Sequence, residues 1–373
     1  MIYIIGIAIT IFLSFILLTK KGKSGADKIL FAWLCVIFVH LLLFSIISSK
    51  EYLKFPYLLG FEIPFPLLHG PFLFLYTLTL TSEQVAKTKM FPHFLPFAIG
   101  FIATVPFLIL NPEEKILIYQ NEGEGFETIS IIIFIGIVMS GITYTFLSLR
   151  VLVNHKKLIK DNFSSIEKIN LQWLFRLVLG LSCIWILVFF ADDEIIFSSV
   201  VLFVAFIGYY GIKQVGVFTN QQILELSPAF ESKKIAEPSN AAPEVSKYDK
   251  SALSDFQLKT IHCELVKLMK QNKLFLTPEL TLKMVAVELE IHPNTLSQVI
   301  NTVEQKNFFD YINTLRIEEF KERITNPDNQ KYTLLSLAFE CGFNSKTSFN
   351  RNFKNLTGKS PSEYLKESKT MPD

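Results

Sequence analysis

Seven apolar runs, each close to the length of a bilayer crossing, follow one another in the first 212 residues: Ile2–Leu18, Ile29–Ile47, Phe61–Leu80, Phe94–Leu110, Ile129–Leu149, Leu171–Phe190 and Ile195–Ile212. A hydrocarbon core about 30 Å thick is crossed by roughly 20 apolar residues wound as helix. Short charged loops separate the runs, and none carries an acid at its middle. The pattern predicts seven transmembrane helices, not the buried core of a large soluble protein. Hydrophobicity then collapses over 213–250. The stretch SPAFESKKIAEPSNAAPEVSKYDKS holds too little apolar surface to fold alone. As a soft tether, a segment of that length spans roughly 30–40 Å. Beyond it, apolar residues recur at three- and four-residue spacing, the period of amphipathic helices. The expected fold is all-α: a seven-span membrane domain (1–212), a flexible linker (213–250) and a helical C-terminal domain (251–369).

Lys and Arg in the short loops set the orientation. With the N-terminus outside, loops 19–28, 81–93 and 150–170 face inward and hold eleven cations, against three in the outward loops 48–60, 111–128 and 191–194. An odd span count then puts the C-terminal domain in the cytoplasm. The first run lacks the cationic start and small-residue cleavage site of a signal peptide, with Lys20, Lys21 and Lys23 following it, so it reads as a retained span. The expected location is the inner (cytoplasmic) membrane.

The C-terminal domain opens on Ser254-Asp255-Phe256-Gln257, a capping-box spacing. Leu258, Ile261, Leu265 and Leu268 then form one apolar stripe. Next comes TLKMVAVELEIHPNTLSQVIN, where Ala286 is small enough for two helices to cross closely and Leu296, Val299 and Ile300 hold the second helix inward. Pro293 suits a first helical turn. Asn294, Ser297 and Gln298 are left outside, short polar groups suited to base edges. The run NFFDYINTLRIEEFKERI is apolar on more than one face and reads as a central helix between two subdomains.

A second unit repeats the scheme: Ala338 mirrors Ala286, 52 residues on. Gly342 supplies a left-handed turn and Ser345 caps the following helix. Phe349 and Phe353 point inward, while Lys346, Thr347, Asn350 and Arg351 face out. Between Cys341 and Ser362 stand Lys346, Arg351, Lys354 and Lys359 and no acid, a positive strip suited to phosphates. Ser360-Pro361-Ser362-Glu363 caps a last helix. The pattern A-x-x-x-G-F-x-S-x-x-x-F-x-R-x-F-K-x-x-x-G-x-x-P-x-x-Y, from Ala338 to Tyr364, resembles the AraC/XylS family of bacterial transcription regulators over about residues 250–367. The resemblance implies two helix-turn-helix units joined by a central helix. It places base-facing positions at Asn294, Ser297, Gln298, Lys346, Thr347, Asn350 and Arg351. Glu290 departs from it, standing where many relatives carry Gly. The layout, with LLHGPFLFLY at Leu67–Tyr76, looks like a membrane-embedded branch of that family.

Composition adds little to the C-terminal reading and much to the membrane one. The chain is 50% hydrophobic with 36 Phe, 25 of them before residue 212, and its mean hydropathy is +0.37. Cys35, Cys183, Cys263 and Cys341 show no metal-ligand spacing and read as reduced packing residues. No catalytic arrangement, cofactor motif or metal site stands out, so an enzyme is not expected. His40 and His69 are intramembrane ionisable groups, hence candidate sensors, and equally read as neutral histidines hydrogen-bonded between helices. Asp192-Asp193-Glu194 reads as a cation site or as a solvated loop tip. The expected partners are double-stranded DNA, the lipid bilayer, a second copy of the chain and a small-molecule or envelope signal. The rival reading is a multi-span receptor or transporter with a protein-binding helical tail.

Overall fold

The computed structural model describes residues 2–81, 90–213, 254–329 and 331–370, and every regular element among them is helical. An isolated bridge pairs Phe163 with Thr281. The chain divides into two compact units, one drawn from 1–154 and 171–225, the other from 155–170 and 226–373. The expected tether lies, except for Lys213, outside the described residues.

The first unit contains α1 (Ile2–Thr19), α2 (Gly25–Ser48), α3 (Pro66–Thr81), α4 (Leu95–Leu108), α5 (Pro112–Gln120), most of α6 (Glu127–Asn162), α7 (Gln172–Leu187) and α8 (Asp193–Lys213). Among the described residues, five helical stretches are long and apolar enough to cross a membrane: α1, α2, Phe91–Leu108, α6 and α8. The runs expected at Phe61–Leu80 and Leu171–Phe190 instead fold as α3 and α7, each 16 residues long. At 1.5 Å per residue that is about 24 Å, short of a full hydrocarbon core. Turns take up residues 61–65 before α3, where Pro64 and Pro66 lack the N–H of a helix interior, and residues 188–190 after α7.

Close packing and an apolar exterior characterise this unit. A Cβ on Gly6 would lie 2.6 Å from Val201 and 3.1 Å from Leu41, so the glycine lets α1 press against α8 and α2. The buried hydroxyls of Thr10, Thr77 and Thr104 donate to carbonyls four residues back, at 3.1, 2.8 and 2.7 Å, which satisfies them without water. Outside, Ile4, Phe12, Phe15, Ile102, Ile132, Phe146 and Leu202 are exposed. An apolar surface of this extent suits lipid.

The second unit is built from α9 (Asp255–Asn272), α10 (Leu282–Glu288), α11 (Pro293–Val299), α12 (Phe308–Thr325), α13 (Leu334–Glu340), α14 (Lys346–Thr357) and α15 (Pro361–Thr370). Helix α12 is the connecting rod that its two apolar faces predict. Its first half puts Phe308, Tyr311 and Ile312 into a core with α9, α10 and α11. Its second half puts Ile317 and Phe320 into another core with Ala338, Phe349 and Phe353. A third small cluster joins Ile159 and Ile166 to Phe309, so residues 155–170, expected as a plain loop, are part of this unit. Cys341 packs in the second core as expected. Cys183 and Cys263 are instead exposed, Cys35 is half-buried, and all four thiols are free.

Candidate nucleic-acid interface

A buried arginine that the hydrophobic pattern gave no reason to single out organises the second unit. Arg316, 1% exposed, sits between apolar neighbours on α12. Its Nε donates to Phe275 O at 2.7 Å, and its Nη2 donates to Thr277 O at 2.7 Å and Ser164 Oγ at 3.1 Å. Burial pushes its pKa down to about 10, so it stays charged at neutral pH. Five N–H donors in a planar fork suit such a cluster of acceptors.

The first helix pair, α10 and α11, is set by local caps. Thr281 caps α10 through its hydroxyl, which accepts from Met284 N. His292 caps α11, its Nδ1 accepting from Asn294 N at 3.2 Å, with Pro293 in the first turn. Ala286, Leu296 and Val299 are fully buried. Between the helices Glu290 takes φ +53°, the left-handed conformation in which a non-glycine side chain costs about 1 kcal/mol. Asn294 and Gln298 are exposed; Ser297 is half-buried and accepts from Asn301 Nδ2 at 3.3 Å. After α11 the chain continues as a short π-helix over Ile300–Glu304.

The second pair, α13 and α14, follows the same plan with a stronger turn. Gly342 has φ +90°, and Ser345 caps α14 by accepting from Ser348 N at 3.1 Å. Gly358 ends α14 in the left-handed form, and Ser360 and Glu363 cap α15 reciprocally. Phe349 and Phe353 are buried, whereas Lys346, Thr347, Asn350 and Lys354 are exposed on one polar, cationic side.

Arg351 departs from the expectation that it faces freely outward. It is half-buried, and its Nη2 donates to Glu167 Oε1 at 3.2 Å. Burial pushes the Glu167 carboxyl up, but bonds from Ser348 and Ser165 and the Arg351 charge outweigh it and hold the group below the usual carboxylate range. The strip read as free of acids therefore receives one from 184 residues away. No local pattern around Glu167 marks it for this role.

The two candidate sensor residues do meet. Trp33 Nε1 donates to His69 Nδ1 at 3.2 Å, and His69 Nε2 lies 3.1 Å from His40 Nδ1 with the rings stacked. A Trp33 donor fixes His69 as the Nε2–H tautomer, which donates onward to His40. Both histidines line a cavity of about 400 Å³ in the first unit, shared with Trp185, Glu62, Tyr119 and Asp193. Among the described residues, no group of three or more His, Cys, Asp or Glu is placed to hold a metal ion.

Residues 285–367 match the model of a family described as a helix-turn-helix domain. The match begins inside α10 and ends inside α15, so it takes in the end of α10, all of α11, the connecting α12 and the second helix pair. No curated protein and no solved structure matches the chain. The domain match supports the AraC/XylS resemblance and a DNA-binding role for the C-terminal unit.

Proposed function

We propose that this chain is a membrane-embedded, sequence-specific transcription regulator of the AraC/XylS kind, with seven spans (the 16-residue α3 and α7 crossing together with the apolar turns at 61–65 and 188–190), its N-terminus outside and its DNA-reading unit in the cytoplasm. The observation that carries the reading is α14: a capped helix with Phe349 and Phe353 in the core and Lys346, Thr347, Asn350 and Lys354 exposed together. Such a helix lays polar and cationic groups along a major groove. Asn294, Ser297 and Gln298 on α11 form the second reading element, about one helical turn, roughly 34 Å, along the duplex. Direct readout by α11 rests on short polar groups alone, since Asn294 to Asn301 includes no Lys or Arg.

For the membrane half we infer a sensor role. Supporting it, the His40–His69 pair lies against a cavity large enough for a small molecule. Such a signal would alter the DNA-reading unit or its pairing with a second copy. The test is footprinting and genome-wide mapping of bound DNA with the intact chain in its membrane. Protected sites sharing a sequence support the regulator; no protection on any sequence at moderate salt favours a receptor or transporter with a protein-binding tail.

A further inference from the structure

Residues 155–170 are held on the C-terminal unit in two distinct ways. The first half is anchored deeply. Ile159 packs with Ile166 on Phe309, Phe163 bridges to Thr281, and Ser164 N donates to Leu280 O at 3.1 Å. Ser164 O accepts from Asn313 Nδ2 at 3.1 Å, and its hydroxyl accepts from the buried Arg316 at 3.1 Å. On either side of the buried Ile166, Ser165 and Glu167 are half-exposed, against α14 and the turn before it. There Asn344 Nδ2 donates to Ser165 Oγ at 3.0 Å, and Arg351 pairs with Glu167. Ser165 Oγ and Ile166 N both donate to Glu167 Oε2, at 2.9 and 3.2 Å, and aim its other oxygen at Arg351.

A carboxylate on the guanidinium does what a DNA phosphate or a guanine edge would do: it accepts from Arg351 and cancels its charge. Glu167 occupies Nη2, sets the side chain's direction and offsets its charge, so a DNA acceptor meets a weakened partner, and the fixed negative charge beside α14 also repels the duplex. We propose that residues 165–168 form an intramolecular clasp that competes with DNA for Arg351, so that the intact chain is held in a weakened DNA-binding state until the clasp lifts. This rests on the reading of α14 as a DNA-contacting helix. A half-exposed ion pair is weak by itself, so the clasp tunes affinity and does not abolish it. The segment runs directly into α6 at one end and, at Leu171, into α7 at the other. A shift of either apolar helix therefore reaches Glu167 along the chain itself, independently of the tether.

The experiment uses the full chain in lipid nanodiscs and a fluorescein-labelled duplex selected from a random pool on the wild-type protein. Glu167→Gln keeps the side-chain shape and removes the charge. It is expected to tighten binding about three- to tenfold, the worth of a partly buried, charge-assisted contact. The paired variant Ser165→Cys/Asn344→Cys, with Cys183 and Cys263 changed to Ser, is expected to bind more weakly when oxidised and to recover on reduction. Unchanged or weaker binding by Glu167→Gln, or oxidation without effect on affinity despite a formed cross-link, overturns the clasp and leaves the DNA reading standing. If neither the wild type nor either variant binds any duplex from the pool, the DNA reading fails and the clasp falls with it.

Discussion

Gly342 and Arg316 leave no room between them: a Cβ on the glycine would lie 2.9 Å from the guanidinium Nε and 2.8 Å from the carbonyls of Phe275 and Leu276. The turn between α13 and α14 is thus seated against the fork that ties α12 to the segment after α9. Gly342→Ala meets a left-handed backbone and a crowded site together, about 1 kcal/mol for the first and about 1–3 kcal/mol for the second. Urea or thermal unfolding of the C-terminal unit, followed by hydrogen exchange on α14, is expected to show that loss. A melt within error of wild type would contradict the packing described.

Removing Arg316 is expected to cost more. Arg316→Met leaves the carbonyls of Phe275 and Thr277 and the hydroxyl of Ser164 without their donor, at about 1–3 kcal/mol for each buried group left unmade. Arg316→Lys retains charge but supplies a point donor in place of a fork, so it should fall between Met and wild type. Amide exchange along α12 and α13 ranks the three proteins.

Glu290→Gly is expected to act in the opposite direction. The native φ of +53° is strained for glutamate and free for glycine, while glycine loses more backbone entropy on folding. The balance is a gain of up to about 1 kcal/mol in stability of the α10–α11 pair. Chemical denaturation reads it directly, and a loss would show that Glu290 makes a stabilising contact of its own.

Asn350 and Lys354 are exposed on the same helix and should separate two kinds of DNA contact. Asn350→Ala is expected to cost about 1–3 kcal/mol on a selected operator and to relax discrimination at one base pair. Lys354→Ala should weaken all sequences alike and lower the salt slope by about 1. Titrations at several salt concentrations on operator and random duplex distinguish them.

Orientation is tested by labelling. In a chain with Cys183 and Cys263 replaced by Ser, a membrane-impermeant maleimide added to whole cells is expected to reach Asn121→Cys. It should reach Lys156→Cys only after permeabilisation. The reverse pattern would put the DNA-reading unit on the wrong side of the membrane.

Much of the helical plan was legible because it is local. Ser254, Ser345 and Ser360 announce helix starts through caps a few residues long, and Phe349 with Phe353 marks the buried face of α14 by period alone. Gly342 occupies the left-handed turn where the helix spacing placed it, and Glu290 the one that the family resemblance marked. Span lengths were less legible, since hydropathy runs on through the Pro64–Pro66 turn while the backbone does not. Arg316 and Glu167 lay beyond reach for another reason. Their partners are Ser164, Phe275 and Arg351, brought near only by the finished fold, and periodicity carries no information about pairings 152 or 184 residues apart.

Helix α12 feeds one core from its first half and another from its second, with no loop between. For a protein reading DNA through α11 and α14, that rod is a ruler. A promoter could change the letters under either helix and lose affinity by degrees, but inserting half a turn of duplex between them would carry one site round to the far side at a stroke. Operators for such a protein can drift in spelling while their spacing stays frozen.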